Sequence, residues 1–212
     1  GFSDMIQAEP FGPVGDDRYA TYLRDINESG QLLLSLIDVV LDISKIEAGK
    51  FDLIETEVDV PAFLQRSIKL ISPQANDRHI TLELECDDQA PALLCDQRPL
   101  SQIVNNLLSN AIKFSDEGQT ISIKSSFDTT RGYVIRVTDD GIGMDETDIH
   151  KALEPFSQAD ASRARNQEGT GLGLYVSRLL MGQHGGTLEI DSAPDEGTTV
   201  TVTFPPERII NS

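Results

Sequence analysis

Between residues 17 and 50, apolar side chains recur at a regular spacing that constrains the fold of this chain more than any other feature. The spacing alternates between three and four residues, which is typical of a helix that packs lengthwise against other helices. The eight positions are Tyr19, Tyr22, Ile26, Ser29, Leu33, Leu36, Val40 and Ile43, and all except Ser29 are apolar or aromatic. Four more residues widen the apolar face: Leu23, Leu34, Ile37 and Leu41. We therefore expect one long helix of a bundle, with most of its partner helix missing from this chain.

The pattern changes directly after Gly49, where strands and helices begin to alternate. Strands are predicted at residues 51–58, 80–86, 120–127, 133–139, 187–191 and 198–204, and helices at 60–76, 99–114, 146–153 and 171–184. This order is typical of an α+β sandwich, in which a mixed sheet is backed by helices on one face. We therefore divide the chain into a helical part, residues 1–50, and an α+β domain, residues 51–212.

The charge of the chain argues against several classes of partner. Its 212 residues include 35 Asp and Glu against 17 Lys and Arg, a formal net charge of −18. Nucleic acid and anionic membrane surfaces are therefore poor partners, and a phosphate-bearing ligand would need a local cluster of cations, backbone N–H groups or a divalent metal. Cys86 and Cys95 have neither the spacing of a zinc site nor that of a disulfide framework. No apolar run approaches the roughly 20 residues that a membrane span needs.

The helix predicted at residues 99–114 has two chemically different faces. One face carries Gln102, Asn106, Asn110 and Lys113, and the opposite arc holds Ile103, Val104, Leu107, Leu108, Ala111, Ile112 and Phe114. A solvated helix face usually mixes acids and bases, whereas this one is rich in amides and ends in a lysine. Amide oxygens are ligands for Mg²⁺, and a lysine one turn away can neutralise a phosphate. An anionic ligand with a metal ion would fit this face.

Two glycine-rich segments could approach a flat or a phosphate-bearing ligand. The first runs from Asp139 to Gly143 after a predicted strand, where its glycines allow close backbone contact and Asp139 could accept a hydrogen bond from an exocyclic amine. The second runs from Gly169 to Gly173 and leads into a helix whose N-terminus suits phosphate. Taken alone, the first could also be an ordinary glycine-rich turn. The second lacks the ending of a P-loop and the βαβ context of a dinucleotide fingerprint.

The order and spacing of these motifs resemble the N, G1, F, G2 and G3 boxes of the bacterial sensor histidine kinases. The matching segments are Asn106-x3-Asn110-x2-Lys113, Asp139-x-Gly141-x-Gly143, Glu154-Pro155-Phe156, Gly169-x-Gly171-x-Gly173 and Gly197-Thr198-Thr199. Residues 17–58 resemble the second helix of that family's dimerisation and phosphotransfer hairpin, and residues 1–22 are similar to the PleC/DivJ-like cell-cycle kinases. The resemblance covers the whole chain and implies a Bergerat-type α/β sandwich preceded by a long bundle-forming helix from a truncated helical hairpin.

The resemblance also implies cofactors and residue roles. ATP and Mg²⁺ would be the cofactors, and Asn110 would coordinate the metal ion. Asn106 would support Asn110, and Lys113 would contact phosphate, so these three residues would be the catalytic set. Asp139 would bind the amino group of adenine, with Gly141 and Gly143 giving it room.

The remaining implied contacts belong to a lid over the nucleotide. Gly169, Gly171 and Gly173 would hinge this lid and present N–H groups, Phe156 would anchor it, and Arg163 or Arg165 would reach the γ-phosphate. Three further residues complete the implied nucleotide-contacting set: Thr170, Leu172 and Thr198.

One departure from the family concerns the phosphoacceptor. The family's acceptor histidine lies on the first hairpin helix, followed by an acid and an Arg-Thr-Pro stretch, and this chain has no such box. Its histidines, His79, His150 and His184, are interpreted as ordinary surface or strand-edge residues. The simplest account is a chain that begins just after the acceptor, so that it keeps ATP binding and loses its own target.

The family further implies partners and a location for the intact protein. It would form a homodimer through the hairpin and pass the phosphoryl group to the receiver domain of a response regulator. We expect it in the cytoplasm, either free or as the cytoplasmic part of a membrane-anchored receptor, with no direct membrane contact by this segment.

Two alternative functions stay open at this point. The gyrase, chaperone and mismatch-repair ATPases share the ATP-binding fold, but they carry a glutamate as the water-activating base where Asn106 stands. An amide cannot take a proton from water at neutral pH, which disfavours ATP hydrolysis as the main function. The other alternative is a nucleotide-binding pseudokinase or scaffold that docks a response regulator without transferring a phosphoryl group.

Overall fold

The computed structural model describes residues 2–10, 12, 15, 17–87, 90–157 and 171–210. Four of the predicted lid residues, Arg163, Arg165, Gly169 and Thr170, therefore lie outside the described residues. The chain divides into two compact units, residues 1–49 and residues 50–212. We describe each unit by itself.

The first unit contains a short helix, α1 (Phe2–Gln7), and the predicted long helix, α2 (Asp17–Glu47). The two helices are joined by a hydrogen bond in which Asn27 Nδ2 donates to Asp4 Oδ1 at 2.6 Å. Five of the predicted seam side chains are largely exposed: Tyr19, Tyr22, Ile26, Leu33 and Val40. The chain leaves α2 through Gly49, whose φ of +64° is the left-handed conformation that commonly ends a helix.

The second unit contains four α-helices, a short 3₁₀ helix (Pro206–Arg208) and eight strands within its described residues. The helices are α3 (Val60–Asp77), α4 (Gln97–Phe114), α5 (Glu146–Ala152) and α6 (Gly173–Gln183). The strands are β1 (Thr56–Val58), β2 (Thr81–Glu85), β3 (Ala92–Cys95), β4 (Thr120–Asp128), β5 (Gly132–Asp139), β6 (Thr187–Ser192), β7 (Thr198–Phe204) and β8 (Ile209–Ile210).

The strands form a five-stranded and a three-stranded sheet. The larger sheet has the order β2-β4-β5-β7-β6, with β2 parallel to β4 and all other pairs antiparallel. The smaller sheet has the antiparallel order β1-β3-β8. The α+β sandwich and its N-terminal helix are therefore confirmed, with a mixed sheet as predicted.

Helix α4 packs between the other two long helices of the unit. It contacts both α3 and α6. Its predicted apolar face is buried, apart from Phe114, which is half-buried: Ile103, Val104, Leu107, Leu108, Ala111 and Ile112. Pro99 and Leu100, in the first turn, are buried as well. Burying each large aliphatic side chain contributes about 1.5–3 kcal/mol, so this face holds the helix against the sheet. The predicted polar face is left half-exposed, which confirms the two-faced reading of this helix.

Side chains from other elements hold both ends of α4. At the N-terminus, the buried carboxylate of Asp96 accepts a hydrogen bond from the backbone N–H of Arg98 at 3.0 Å. At the C-terminus, the guanidinium of Arg78 donates to the backbone carbonyls of Ile112, Lys113 (2.8 Å) and Ser115 (3.0 Å). The last carbonyls of a helix have no intrahelical partner, so Arg78 supplies donors where they are needed.

Helix α6 runs antiparallel to α4. Near its N-terminus it meets Asn106, whose Nδ2 donates to the Gly173 carbonyl at 3.1 Å and to Ser177 Oγ at 3.3 Å. Just past its C-terminus, His184 Nε2 accepts a hydrogen bond from the backbone N–H of Asp96 at 3.2 Å. The two helices are thus connected by polar contacts at both ends of their shared interface.

Several sequence predictions need correction. The strand predicted at residues 51–58 begins only at Thr56 in the structure. Thr56 pairs with Cys95, the last residue of β3, and the residue after Cys95 is Asp96, which caps α4, so β3 offers no further pairing partner. β3 and β8 were not predicted, because four and two residues are too few to show a periodicity. His184 is fully buried, and not a surface or strand-edge residue.

Within the part of the chain that the structure describes, no helix combines the length and the apolarity that crossing a bilayer requires.

We predict that Arg78→Ala destabilises the second unit by about 1.5–3 kcal/mol, because three helix-terminal carbonyls lose charged donors. Urea unfolding followed by circular dichroism measures this change. The control is Arg66→Ala, an exposed arginine on α3, which should change the free energy of unfolding by no more than about 0.5 kcal/mol. Equal stability of the two variants would show that Arg78 is dispensable at the end of α4.

Candidate functional site

The polar face of α4 lies at the centre of the candidate site. Asn106 is half-buried, and its amide nitrogen already donates hydrogen bonds to the Gly173 carbonyl and to Ser177 Oγ on α6. Asn110, one turn further on, is also half-buried, and its side chain makes no hydrogen bond within the described residues. Asn110 therefore keeps an amide that can serve a ligand, whereas Asn106 holds the start of α6 in place.

Lys113 stands one turn beyond Asn110, in the last turn of α4. Its ammonium lies 4.8 Å from the centre of the Phe114 ring, and its backbone carbonyl accepts from Arg78. The aromatic face attracts the cation without neutralising it. A positive charge is thus held beside the amides of α4, in a chain whose net charge is strongly negative.

The loop after β5 contacts the C-terminal end of α4. The backbone N–H of Ile142 donates to the Phe114 carbonyl at 3.3 Å. A Cβ on Gly141 would collide with the same carbonyl and would lie 2.8 Å from Asp139 Oδ1. Only glycine allows this loop to approach α4 so closely, so the first glycine of the predicted motif has a steric reason.

Asp139 ends β5, in the middle of the larger sheet, between Ile121 on β4 and Thr198 on β7. It is 7% exposed, and its Oδ1 accepts a hydrogen bond from the backbone N–H of Gly141 at 3.0 Å. Burial raises the pKa of this carboxyl to about 6, against the opposing effect of the Gly141 and Thr198 N–H groups. A carboxylate with so little solvent is suited to recognising a hydrogen-bond donor of a ligand.

The turn between β6 and β7 holds the same loop from the other side. Gly197 (φ +81°) packs on the backbone carbonyl of Asp139, and Gly143 (φ +61°) packs on that of Ala193. Ser192 completes the contact, because its hydroxyl accepts from Met144 N and donates to the Gly197 carbonyl, both at 2.8 Å. The first and last glycine motifs of the sequence are therefore packed directly against each other.

The two described ends of the predicted lid also meet. A Cβ on Gly171 (φ +67°) would collide with the carbonyl of Ser157, so residues 157 and 171 are in backbone contact. Leu172 is 1% exposed and belongs to the core, so only its backbone could serve a ligand. Among the described residues no side chain caps the start of α6 at Gly173, so its first N–H groups can serve an anion.

Phe156, the predicted lid anchor, has a φ of +61° and is 68% exposed. The side chain is therefore not packed into the core of the second unit, and the role of Phe156 as an anchor of the lid stays a prediction.

These contacts bring the separate motifs of the sequence to one helix. The start of α6 touches α4 at Asn106, and the loop after β5 touches it at Phe114, on either side of Asn110 and Lys113. Thr198 lies beside Asp139 in the register of β5 and β7, and its hydroxyl is 2.9 Å from Ser192 Oγ. Asn110, Lys113, the start of α6 and the loop after Asp139 thus lie around the C-terminal half of α4, whereas Leu172 is buried in the core and the lid arginines and Gly169-Thr170 fall outside the described residues.

Sequence reasoning missed the residues that support the site from behind. Arg78, Ser177 and Ser192 each hold a site element by hydrogen bonds to a backbone or an amide. None of them belongs to a recognisable motif, and each acts on a residue at least 35 positions away. Only the folded chain could identify them.

The donor chemistry of the site is oxygen-rich but lacks a cluster of charged ligands. Among the described residues, no group of three or more His, Cys, Asp or Glu side chains is arranged to hold a metal ion. An amide oxygen at Asn110 could supply one ligand to Mg²⁺, which usually keeps several waters and takes further oxygens from phosphates. The residues present fit a metal ion that arrives together with a phosphate-bearing ligand.

Comparison with known proteins agrees with this geometry. Residues 95–208 match the model of the family described as histidine kinase-, DNA gyrase B- and HSP90-like ATPases. The cell-division control histidine kinases PdhS of Brucella ovis and Brucella abortus are 38% identical over 99% of this chain. The chain spans about a fifth, 21%, of the length of these curated relatives.

Solved structures share the same fold. The crystal structure of full-length ShkA in complex with AMPPNP is 26% identical, with a TM-score of 0.82 over 100% of this chain and 42% of that one. The Acinetobacter baumannii histidine kinase AdeS, at 20% identity, has a TM-score of 0.74 over 92% of this chain and 86% of its own. The family match covers more than half of the chain and includes every described residue of the candidate site. The chain therefore belongs to the histidine kinase-, DNA gyrase B- and HSP90-like ATPase family, and within it to the catalytic domains of the sensor histidine kinases.

Proposed function

We propose that residues 50–212 form the catalytic domain of a protein histidine kinase, and that residues 1–49 belong to its dimerisation and phosphotransfer hairpin. The domain binds ATP with Mg²⁺ and transfers the γ-phosphoryl group to a histidine on a hairpin helix. The phosphohistidine then passes this group to an aspartate of a response-regulator receiver domain. The single observation that carries the proposal is the convergence of the buried Asp139, the amide of Asn110 and the uncapped start of α6 around one helix.

Each end of the nucleotide has a matching group in this site. Asp139 accepts a hydrogen bond from the exocyclic amine of adenine, and the Gly141 backbone leaves room for the ring. Lys113 and the first N–H groups of α6 bind the phosphates, because a cation and a helix N-terminus both favour negative charge. Asn110 presents its amide oxygen to the metal ion. When bound, Mg²⁺ would neutralise negative charge on the phosphates.

The transfer step needs positioning more than covalent help from the protein. A ring nitrogen of the acceptor histidine attacks the γ-phosphorus, the bond from that phosphorus to the bridging oxygen breaks, and ADP leaves with the electron pair. Lys113 and α6 hold the phosphates in line with the attacking nitrogen. Lid closure over the phosphates, in which we assign roles to Phe156, Arg163, Arg165, Gly169 and Thr170, excludes water from the step.

The position of Asn106 disfavours ATP hydrolysis as the main activity. Its amide nitrogen is engaged with Gly173 and Ser177, and an amide is not a base for water at neutral pH. The side chain acts as a support for the start of α6. The GHKL-type ATPase alternative therefore lacks its general base in this chain.

Of the three histidines of this chain, one is buried and the other two lie outside the helical unit of residues 1–49. His184 is buried, with Nδ1 2.8 Å from the Leu180 carbonyl and Nε2 accepting from Asp96, so neither ring nitrogen can attack a phosphate. Burial lowers the pKa of His184, so it stays neutral. His79 is exposed and pairs with Glu117 at 2.8 Å, and His150 is an exposed residue of α5. We therefore place the acceptor on a segment other than these 212 residues.

We predict that Asn110→Ala lowers Mg²⁺-dependent affinity for ATP at least tenfold, because the metal ion loses its protein ligand. Isothermal titration with and without Mg²⁺ gives the affinity. The matched control is Asn105→Ala, an exposed asparagine on the same helix, which should bind as the unmodified chain does. Both variants should retain the unmodified circular dichroism spectrum, and loss of structure in Asn110→Ala would refute its placement on the ligand face. Failure of the unmodified chain to bind at millimolar nucleotide would leave only the scaffold function.

We predict that Asp139→Asn raises the free energy of unfolding at pH 7, although it weakens the binding of adenine nucleotides. A carboxyl whose folded pKa is about 6, above the usual 3.8, favours the folded state at low pH and loses that contribution as pH rises from about 4 to 6. The amide cannot ionise, so this variant should be more stable than the unmodified chain at pH 7 by about 1–3 kcal/mol. Denaturant unfolding at pH 4 and pH 7 measures the difference, which should shrink at pH 4.

The same variant should bind ADP about tenfold more weakly at pH 7, since the charged acceptor of the adenine amine is lost. Guanine nucleotides should bind both forms equally. Asp140→Asn is the control, because Asp140 is the exposed neighbour in the same loop. Equal loss of adenine and guanine nucleotides in Asp139→Asn would remove this residue from the base pocket.

We predict that this chain does not label itself with [γ-³²P]ATP and Mg²⁺ but labels the histidine-bearing hairpin of its parent protein. The physical reason is that His184 is buried and His79 and His150 lie outside the hairpin unit. Acid-labile phosphate on the isolated chain, mapped by mass spectrometry, would assign the acceptor to His79 or His150. A chain that binds ATP but transfers phosphate to neither target supports the scaffold alternative.

A further inference from the structure

The connection between the two units is held by polar contacts at one end only. α2 ends at Glu47, and residues 50–55 belong to no helix or strand. The backbone N–H of Ile54 donates to Asp96 Oδ2 at 2.9 Å, and Glu55 Oε1 accepts from Arg208 Nη1 at 2.7 Å. Within the described residues, no hydrogen bond or ion pair is made by residues 50–53. The connection is therefore free of polar restraint up to Ile54 and fixed from there onward.

Arg208 is oriented before it meets Glu55. Its Nε donates to the His184 carbonyl, and its Nη1 also donates to the Leu94 carbonyl at 2.8 Å. The arginine side chain is only 16% exposed and the glutamate is 34% exposed. An ion pair between exposed, freely rotating side chains contributes little, but here the guanidinium is already fixed by two backbone acceptors. Glu55 therefore meets a preformed partner.

Asp96 is fixed as firmly. It caps α4 through the Arg98 N–H, and its own backbone N–H donates to His184. Burial alone would raise the pKa of this carboxyl, but hydrogen bonds from the Ile54 and Arg98 N–H groups bring it below its usual value. Asp96 is thus a charged acceptor at neutral pH, and its Oδ2 accepts hydrogen bonds both from the Ile54 N–H and from the Arg98 guanidinium.

At Ile54 the hold on the connection is polar and does not come from burial of the side chain, whereas Phe51 and Leu53, earlier in the connection, are half-buried. The Ile54 side chain is 65% exposed, although its backbone N–H is bonded to a buried carboxylate. A segment kept in place only by packing would bury its apolar side chain. The contacts of Asp96 and Arg208 are therefore what defines the path of residues 54 and 55.

We propose that Glu55, Asp96 and Arg208 form a linker anchor, which fixes the point where the connection joins the second unit and leaves residues 49–53 as the pivot. Five Cα–Cα steps lead from Gly49 to Ile54, and they span at most about 17 Å. Without the anchor the first residue held by hydrogen bonds is Thr56, which pairs in β1, and the largest span grows to about 24 Å over seven steps.

The consequence for phosphoryl transfer rests on the proposed function. A longer tether lets each unit reach a larger volume around the other, which lowers their effective concentration. The volume within reach of the tether without the anchor is about threefold larger than the volume with it. Arg208 is thus a positioning residue: its loss lowers the rate of transfer to the hairpin histidine about two- to threefold while ATP affinity stays unchanged.

The first test measures the anchor without nucleotide. In Arg208→Gln, the amides of Ile54 and Glu55 should exchange hydrogen at least tenfold faster, whereas Arg178→Gln, an exposed arginine on α6, should leave them unchanged. Glu55→Ala is the second variant, because Glu55 is partly exposed and its loss leaves the folded core intact should Arg208→Gln fail to fold. Unchanged exchange in the folded variant overturns the anchor.

The second test measures the freedom of the connection. Spin labels at Ser44→Cys on α2 and Glu189→Cys on β6, in a Cys86→Ser background, report the distribution of distances between the units. Cys95 is buried, and burial raises the pKa of its thiol to about 12, so it does not take up the label. The distribution should broaden in Arg208→Gln and Glu55→Ala. Faster amide exchange with an unchanged distribution overturns the positioning role.

The third test uses the full-length parent protein with saturating ATP. Both anchor variants should transfer to the hairpin histidine more slowly, with an unchanged KM for ATP, and Arg208→Lys should recover part of the rate because it keeps the charge opposite Glu55. A changed KM with an unchanged transfer rate contradicts the proposal. If the unmodified protein neither binds ATP nor transfers phosphate, the proposed function fails, and the exchange and distance measurements still decide the anchor.

Discussion

The arrangement of the second unit depends on how α4 is buried. Its apolar face packs into the core, so its polar face can only point away from the core, and the rotation of the helix is fixed to within a few tens of degrees. Asp96 fixes the start of the helix and Arg78 fixes its end, so it cannot slide along its axis either. Asn110 and Lys113 therefore have defined places before any ligand arrives, which is the preorganisation that positioning chemistry requires.

The candidate site carries costs that the rest of the unit must offset. Asp139 is a carboxyl whose ionised form is less stable in its buried position than it would be in water, and four glycines around the site, Gly141, Gly143, Gly171 and Gly197, approach other backbones too closely for any side chain. Three of these glycines also have positive φ angles. Each feature weakens the local structure but allows a backbone or a charge to reach a ligand. The central strands of the larger sheet hold these elements in register, since β5 is paired along its whole length on both sides.

The long-range polar contacts divide into two groups with different tasks. Near the candidate site, three side chains hold elements that carry predicted ligand contacts. Asn106 holds the start of α6, Arg78 holds the end of α4, and Ser192 holds the loop after β5. At the other end of α4 and α6, Asp96, His184 and Arg208 connect the core to the start of the unit. The same pair of antiparallel helices therefore joins the region of the candidate site to the point where the connection from the first unit enters.

The sequence alone determined the elements that carry a strong periodicity or a rigid local requirement. α2 and the two-faced α4 were predictable because apolar residues recur at helical spacing over many turns, and the hairpin of β4 and β5 because two alternating strands flank a turn. Candidate site residues could be named from the sequence where their motif has fixed spacing, as in Asp139-x-Gly141-x-Gly143. Tertiary structure alone decided the short strands β3 and β8, the burial of His184, the clamp of Arg78 and the linker anchor. These features depend on pairs of residues far apart in the chain, and a contact between such residues leaves no periodic trace in the sequence near either of them.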